Sequence, residues 1–139
     1  KEFGYFSLKT LEMKLDAVDQ VRLSDAQATF LLPDNEVVTV QKNRDFEFKG
    51  WVNAGKFESQ VLVGKYTYAS NKIVLAKTNK SRFNVRPLRP EDGNKPMAMA
   101  SYILGVSGEI IVDDPSNRSG NNLKIHHFVY IYYIQILLR

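Results

Sequence analysis

Glu47 and Glu58, with Trp51 between them, come nearest in this chain to a catalytic arrangement. Two carboxylates on neighbouring strands beside an indole platform could serve as acid and base of a glycoside-cleaving site. The phase of the segment argues otherwise. Glu47 falls opposite the Phe46 and Phe48 face, beside Lys49, where a solvated surface is the ordinary outcome. Gly105-Val106-Ser107-Gly108 has the look of a nucleophile elbow, but its second glycine comes one position early and no strand-turn-helix pattern surrounds it. The adjacent histidines His126 and His127 would point to opposite sides of a strand and cannot jointly clasp one ion. Asp113, Asp114, Ser116 and Asn117 offer hard oxygens without the spacing of a calcium loop, and read as a turn with side-chain caps. Asn79-Lys80-Ser81 and Asn117-Arg118-Ser119 match the glycosylation sequon, which arises often by chance. There is no Walker loop, G-x-G-x-x-G or H-E-x-x-H, and with no cysteine there is no thiol nucleophile or thiolate metal site. No enzyme, catalytic residue, metal ligand or cofactor is expected.

Binding chemistry is better represented. Between Ser59 and Arg89 lie Lys65, Lys72, Lys77, Lys80, Arg82, Arg86 and Arg89 with no acid, so one edge or face should be positive although the net charge is only +4. Lysines of this kind also protect exposed strand edges. Trp51, on the polar face of its strand between Lys49 and Asn53, could stack on a sugar or base, or pack on a neighbouring chain. Phe46, Phe48, Val52, Phe57, Val61 and Val63 form an apolar face that could line a lipid groove, with Lys72, Lys77 and Arg82 meeting anionic head groups. Core packing accounts for the same apolar residues.

The elements that must position these side chains are strands. From Phe46 to Leu75 apolar residues recur with a period of two and glycines break the run at Gly50, Gly55 and Gly64, where bends or bulges belong. Asn53-Ala54-Gly55 suits a tight corner and Ser70-Asn71-Lys72 a turn. Leu8 to Leu23 reads as two short strands, and Ala28–Leu32 with Glu36–Gln41 as a hairpin about Pro33-Asp34-Asn35. Ile73–Ala76, Ser81–Leu88 and Glu109–Val112 are further strands, with loops at Pro90–Pro96 and Asp113–Asn122; Met97–Leu104 is the one segment suited to a short helix. At 139 residues, 44% of them hydrophobic, one ordered core is affordable. The fold class is therefore all-β, mainly antiparallel or solenoid-like stacked strands, with one short helix near 97–104. The longest apolar run, Phe128 to Leu138, is too short for a spanning helix of roughly 20 residues. Beginning at Lys1, the chain reads as a fragment or processed form of a longer protein.

Two phrases resemble segments of very large β-rich proteins of the Bacteroidetes group of bacteria. One is F-x-F-x-G-x-V-N-A-G-x-F, matched by Phe46, Phe48, Gly50, Val52, Asn53, Ala54, Gly55 and Phe57. The other is V-S-G-x-I-x-I-D-x-P-x-N-x-S-G, matched from Val106 to Gly120 with Val112 in place of the second Ile. The resemblance covers roughly Leu8 to Gly120 and implies a segment of an envelope or surface protein, without an activity to transfer. After Gly120 the chain departs from it. Residues 121–139 are dense in Asn, Lys, Ile, Tyr and Leu, as AT-rich codons yield in an unintended frame, or as a real apolar edge strand would be. The expected organisation is a β-rich domain over 1–120 followed by an atypical tail over 121–139.

These readings converge on a non-enzymatic structural or interaction module of a larger bacterial envelope protein. Lipid shielding in an apolar groove is its leading specific version. A carbohydrate-binding row of Trp51, Tyr66 and Tyr68 is the alternative. A nucleic-acid-binding sheet using Tyr66, Tyr68 and Phe83 is disfavoured by the small net charge. Expected partners are the rest of the parent chain, a neighbouring envelope protein, lipid or polysaccharide.

Overall fold

The alternating runs become antiparallel ladders. The computed structural model describes residues 4–85, 97–113 and 129–135, and among them there are eleven strands and no helix. In chain order these are β1 (Gly4–Ser7), β2 (Glu12–Leu15), β3 (Val21–Ser24), β4 (Thr29–Pro33), β5 (Val38–Val40), β6 (Phe46–Ala54), β7 (Phe57–Thr67), β8 (Lys72–Val85), β9 (Met97–Ala98), β10 (Ile103–Ile111) and β11 (Val129–Gln135). The small sheet runs β1-β2-β5; the large one runs β11-β10-β8-β7-β6-β4-β3, with β9 added beside the end of β8. Every pairing is antiparallel. The fold is all-β, and the large sheet curls into a half-barrel.

Alternation decides which face is inside. In β6 the side chains of Phe46, Phe48, Val52 and Ala54 are buried while Glu47 and Lys49 are exposed. Cross-strand register continues each inner position into a row: Val21, Leu31, Val52, Ser59, Ser81 and Ile103 form one, and Phe46, Tyr66, Ile73 and Ile110 another. Rings meet within the core, Phe46 with Tyr66 and Phe57 with Phe83, both at 5.1 Å between centroids. Two-residue loops suit the twist of a hairpin when glycine supplies positive φ at the first central position. Gly55, with φ 60°, does so between the paired Ala54 and Phe57. Asn71 closes the next turn at φ 48° and ties it to β10, since its side-chain amide donates to the Val112 carbonyl at 2.8 Å and its carbonyl accepts from Val112 N–H at 2.9 Å.

Strict alternation fails along one line across the large sheet, and the curl originates there. Leu62 is an extra residue on β7, Ala76 and Asn79 are extra on β8, and the register of β10 against β11 shifts next to Gly105, which has φ 64°. Each bulge bends its strand and sharpens the twist. One consequence corrects the expectation that Val61 and Val63 share a face: Val61 is fully buried, whereas Val63 is 54% exposed.

Other expectations are corrected as well. Pro33-Asp34-Asn35 does turn the chain, with Glu36 N–H donating to the Pro33 carbonyl at 3.3 Å, but no hairpin follows. A strand has only two edges, and those of β4 are occupied by β3 and β6, so β5 crosses to pair with β2 in the small sheet. Met97–Leu104 forms no helix; Met97 and Ala98 pair with Val85 and Asn84, and Ile103 opens β10. So short a helix is marginal alone, whereas the edge of β8 offers backbone groups to be paired. Ile73–Ala76 and the described part of Ser81–Leu88 are one continuous strand, β8. Of the tail, Val129–Gln135 pairs with β10 as an edge strand; the loops at 90–96 and 114–122 lie outside the described residues.

Candidate functional site

The residues expected to line a groove or meet head groups divide between two faces. Phe46, Phe48, Val52, Phe57 and Val61 are core residues, none more than 9% exposed, so they meet one another and no open groove. A Cβ on Gly64 would strike the Phe48 ring at 2.5 Å, which shows how completely that ring fills the inner face. Trp51 and Arg82 stand on the outer face, while Lys72 is ion-paired with Glu109 at 3.0 Å and Lys77 is exposed opposite Val63.

Register assembles a polar and aromatic cluster on that outer face. Leu32, Trp51, Gln60, Lys80 and Leu104 make one cross-strand row, and Phe30, Asn53, Glu58 and Arg82 the next. The Lys80 ammonium lies 5.5 Å from the Trp51 ring centroid and 5.1 Å from that of Tyr102, so two aromatic faces share one cation. Arg82 approaches the same Tyr102 at 5.9 Å and donates through Nε to Glu58 Oε2 at 2.7 Å. Asn84 donates to the other Glu58 oxygen at 2.8 Å, and Asn79 to Gln60 Oε1 at 2.9 Å.

The electrostatics follow from those contacts. Burial pushes the Glu58 carboxyl up, but hydrogen bonds from Asn84 and Arg82, together with the Arg82 charge, outweigh it and hold its pKa below the ordinary value of 4.5. The bond to Glu58 raises Arg82 in turn. Glu58 is thus an ionised anchor with both oxygens engaged, a poor general acid. Its proposed catalytic partner is also too far away. Glu58 pairs with Asn53, six residues along β6 from Glu47, or roughly 20 Å at about 3.3 Å per residue, against about 5 to 9.5 Å for a glycosidase pair.

The other aromatic rows do not form. Tyr66 points inward, 7% exposed, with its hydroxyl donating to Asn71 Oδ1 at 2.7 Å. Tyr68 sits at the turn beneath Arg44, 4.7 Å from guanidinium to ring, and Phe83 packs on Phe57. Within the basic stretch Lys65 is paired to Asp45, Lys72 to Glu109 and Arg82 to Glu58, while Lys77 and Lys80 form no ion pair among the described residues and Arg86 and Arg89 lie outside them. Sequence reasoning missed Tyr102, although an aromatic directly ahead of the alternating run Ile103–Ile111 was a usable signal.

Ser107 sits half-buried within β10, paired with Tyr133, in a strand and not an elbow. Asp113 accepts a hydrogen bond from the Ser24 hydroxyl at 2.6 Å, while His126, His127, Asp114 and Asn117 lie outside the described residues. In the first sequon the Asn79 amide is bonded to Gln60 and Ser81 is fully buried. Among the described residues no group of three or more His, Cys, Asp or Glu is placed to hold a metal, and no helix is long and apolar enough to cross a membrane. No protein-family model, curated protein or solved structure matches this chain.

Proposed function

We propose that this chain is a non-enzymatic β-sheet module of a larger envelope or surface protein, working by presenting the outer face of its large sheet to a partner. The observation that carries the reading is the cluster of Trp51, Lys80 and Tyr102, where two large rings and a cation stand together on the side of the sheet that the core does not use. The inner face is spent on stability. Phe46, Phe48, Val52, Phe57 and Val61 contact each other, so a lipid chain would have to displace them from a closed core. The envelope setting rests on the phrases over Phe46–Phe57 and Val106–Gly120.

Amide-resolved NMR tests the reading by titrating the folded chain with anionic vesicles, oligonucleotides and polysaccharides in turn. Perturbations confined to Trp51, Gln60, Lys80 and Tyr102 are expected with a partner that binds. Shifts centred on Val52, Val61 and Tyr66 would point to a groove that opens and would overturn it, as would turnover of any added substrate.

A further inference from the structure

Resting on that reading, we infer that the outer-face cluster is a binding site for an acidic polysaccharide, a chain whose sugars carry carboxylates. The argument begins with charge. Arg82 is balanced by Glu58, but among the described residues no carboxylate forms an ion pair with Lys80. Its ammonium has three donors and is flanked by ring faces that accept none of them as a full hydrogen bond. An anion arriving from solvent supplies what those rings cannot, a charge-assisted bond at the centre of the cluster.

The surroundings select the kind of anion. Gln60, Asn79 and Asn84 line the same face, and amides both donate and accept, as sugar hydroxyls require. Trp51 is half-buried and Tyr102 is 40% exposed, so both keep apolar surface for the C–H face of a pyranose. Nucleic acid fits less well. A phosphate backbone is held by several cations at once, and Lys65, Lys72 and Arg82 already have carboxylate partners. Lys80, the one cation of the cluster itself without a carboxylate partner among the described residues, stands beside amides and rings and matches one carboxylate among many hydroxyls. The ladder of paired residues from β4 to β10 gives an extended surface suited to a chain.

The test compares an oligogalacturonate with its methyl ester, which keeps every ring and removes the charge. Amide and indole resonances are followed on the full chain, with Lys80→Gln and with Lys77→Gln as a neighbouring exposed cation. Binding to the acid form should shift the Trp51 indole N–H, weaken about tenfold on esterification or in Lys80→Gln, and stay unchanged in Lys77→Gln. Thermal melts should show both variants folded. Equal affinity for the ester, or equal weakening by both lysine variants, overturns the inference. If oligonucleotides or vesicles shift the outer face while the glycan does not, the polysaccharide assignment falls and the module reading stands. If the shifts appear on the inner face, both fall.

Discussion

Beneath the outer cluster, Ser59 and Ser81 face each other across β7 and β8, both fully buried, with their hydroxyl oxygens 2.8 Å apart. Their neighbours Glu58, Gln60, Lys80 and Arg82 are the outer-face residues, so this hydroxyl pair sits at the register that assembles the site. Replacing Ser59 with Ala removes one oxygen and leaves the Ser81 hydroxyl buried without this partner, a loss of about 1–3 kcal/mol. Ser81→Ala should cost the same for the same reason. The double variant leaves no orphan, and two methyl groups suit a row that already contains Leu31, Val52 and Ile103, so its cost should be under about 1 kcal/mol. The cycle should therefore give a coupling energy of at least about 1 kcal/mol and, at the upper end of the single costs, of about 5–6. Urea unfolding followed by the fluorescence of Trp51, the single tryptophan, measures all four proteins, and equal slopes confirm a common unfolding reaction. Additive costs in the double variant would refute the reasoning, since they would mean that each hydroxyl has its own independent partner.

Gly50→Ala should destabilise by at least about 3 kcal/mol, because φ is 150° and the added Cβ would lie against the Leu32 carbonyl oxygen, which belongs to the paired strand β4; calorimetry reads this as a large fall in Tm. Val61→Ala should cost about 2 kcal/mol and Val63→Ala less than about 0.5, since one is fully buried and the other is 54% exposed; equal costs in denaturant titration would mean the bulge at Leu62 is absent. Glu58 carries a lowered pKa in the folded chain, so its contribution is present above the unfolded value near 4.5 and is lost as pH falls through the folded one. Glu58→Gln should be less stable than the parent at neutral pH, and the difference in Tm should shrink as the pH is taken below 4.5.

The strands were legible wherever burial alone dictated the pattern. Phe46 to Ala54 alternates without exception, and Gly55 marks its hairpin because a two-residue loop needs positive φ there. Pairing partners were less legible, since local turn chemistry at Pro33-Asp34-Asn35 carries no information about which edges remain open when β5 arrives. The site was half legible: Trp51 and Arg82 could be picked out by residue type, but Tyr102 joins them only through the register of β8 with β10. Of the apolar candidates, Phe46, Phe48, Val52, Phe57 and Val61 do share one face and their burial assigns them to the core, whereas the bulge at Leu62 turns Val63 to the other face, an irregularity that the period-two pattern does not announce.

The bulges in β8 link the curl of the sheet to the chemistry of its surface. With Ile73 and Leu75 inside, unbroken alternation would send Lys77 and Asn79 into the core, where an unpaired ammonium costs several kcal/mol. The extra residue at Ala76 keeps Lys77 outside and brings Thr78 in, and the extra residue at Asn79 restores the phase so that Ser81 is buried. Thr78 is tolerated there because its hydroxyl donates to the Val106 carbonyl at 2.7 Å. The second bulge leaves Asn79 and Lys80, adjacent in sequence, on the same outer face beside Gln60. A substitution that made Lys77 apolar would remove much of the reason for the first bulge. Lys77→Val should therefore favour a flatter β8 in which Thr78 turns outward and its bond to the Val106 carbonyl is lost, detectable as a change in the carbonyl carbon shift of Val106.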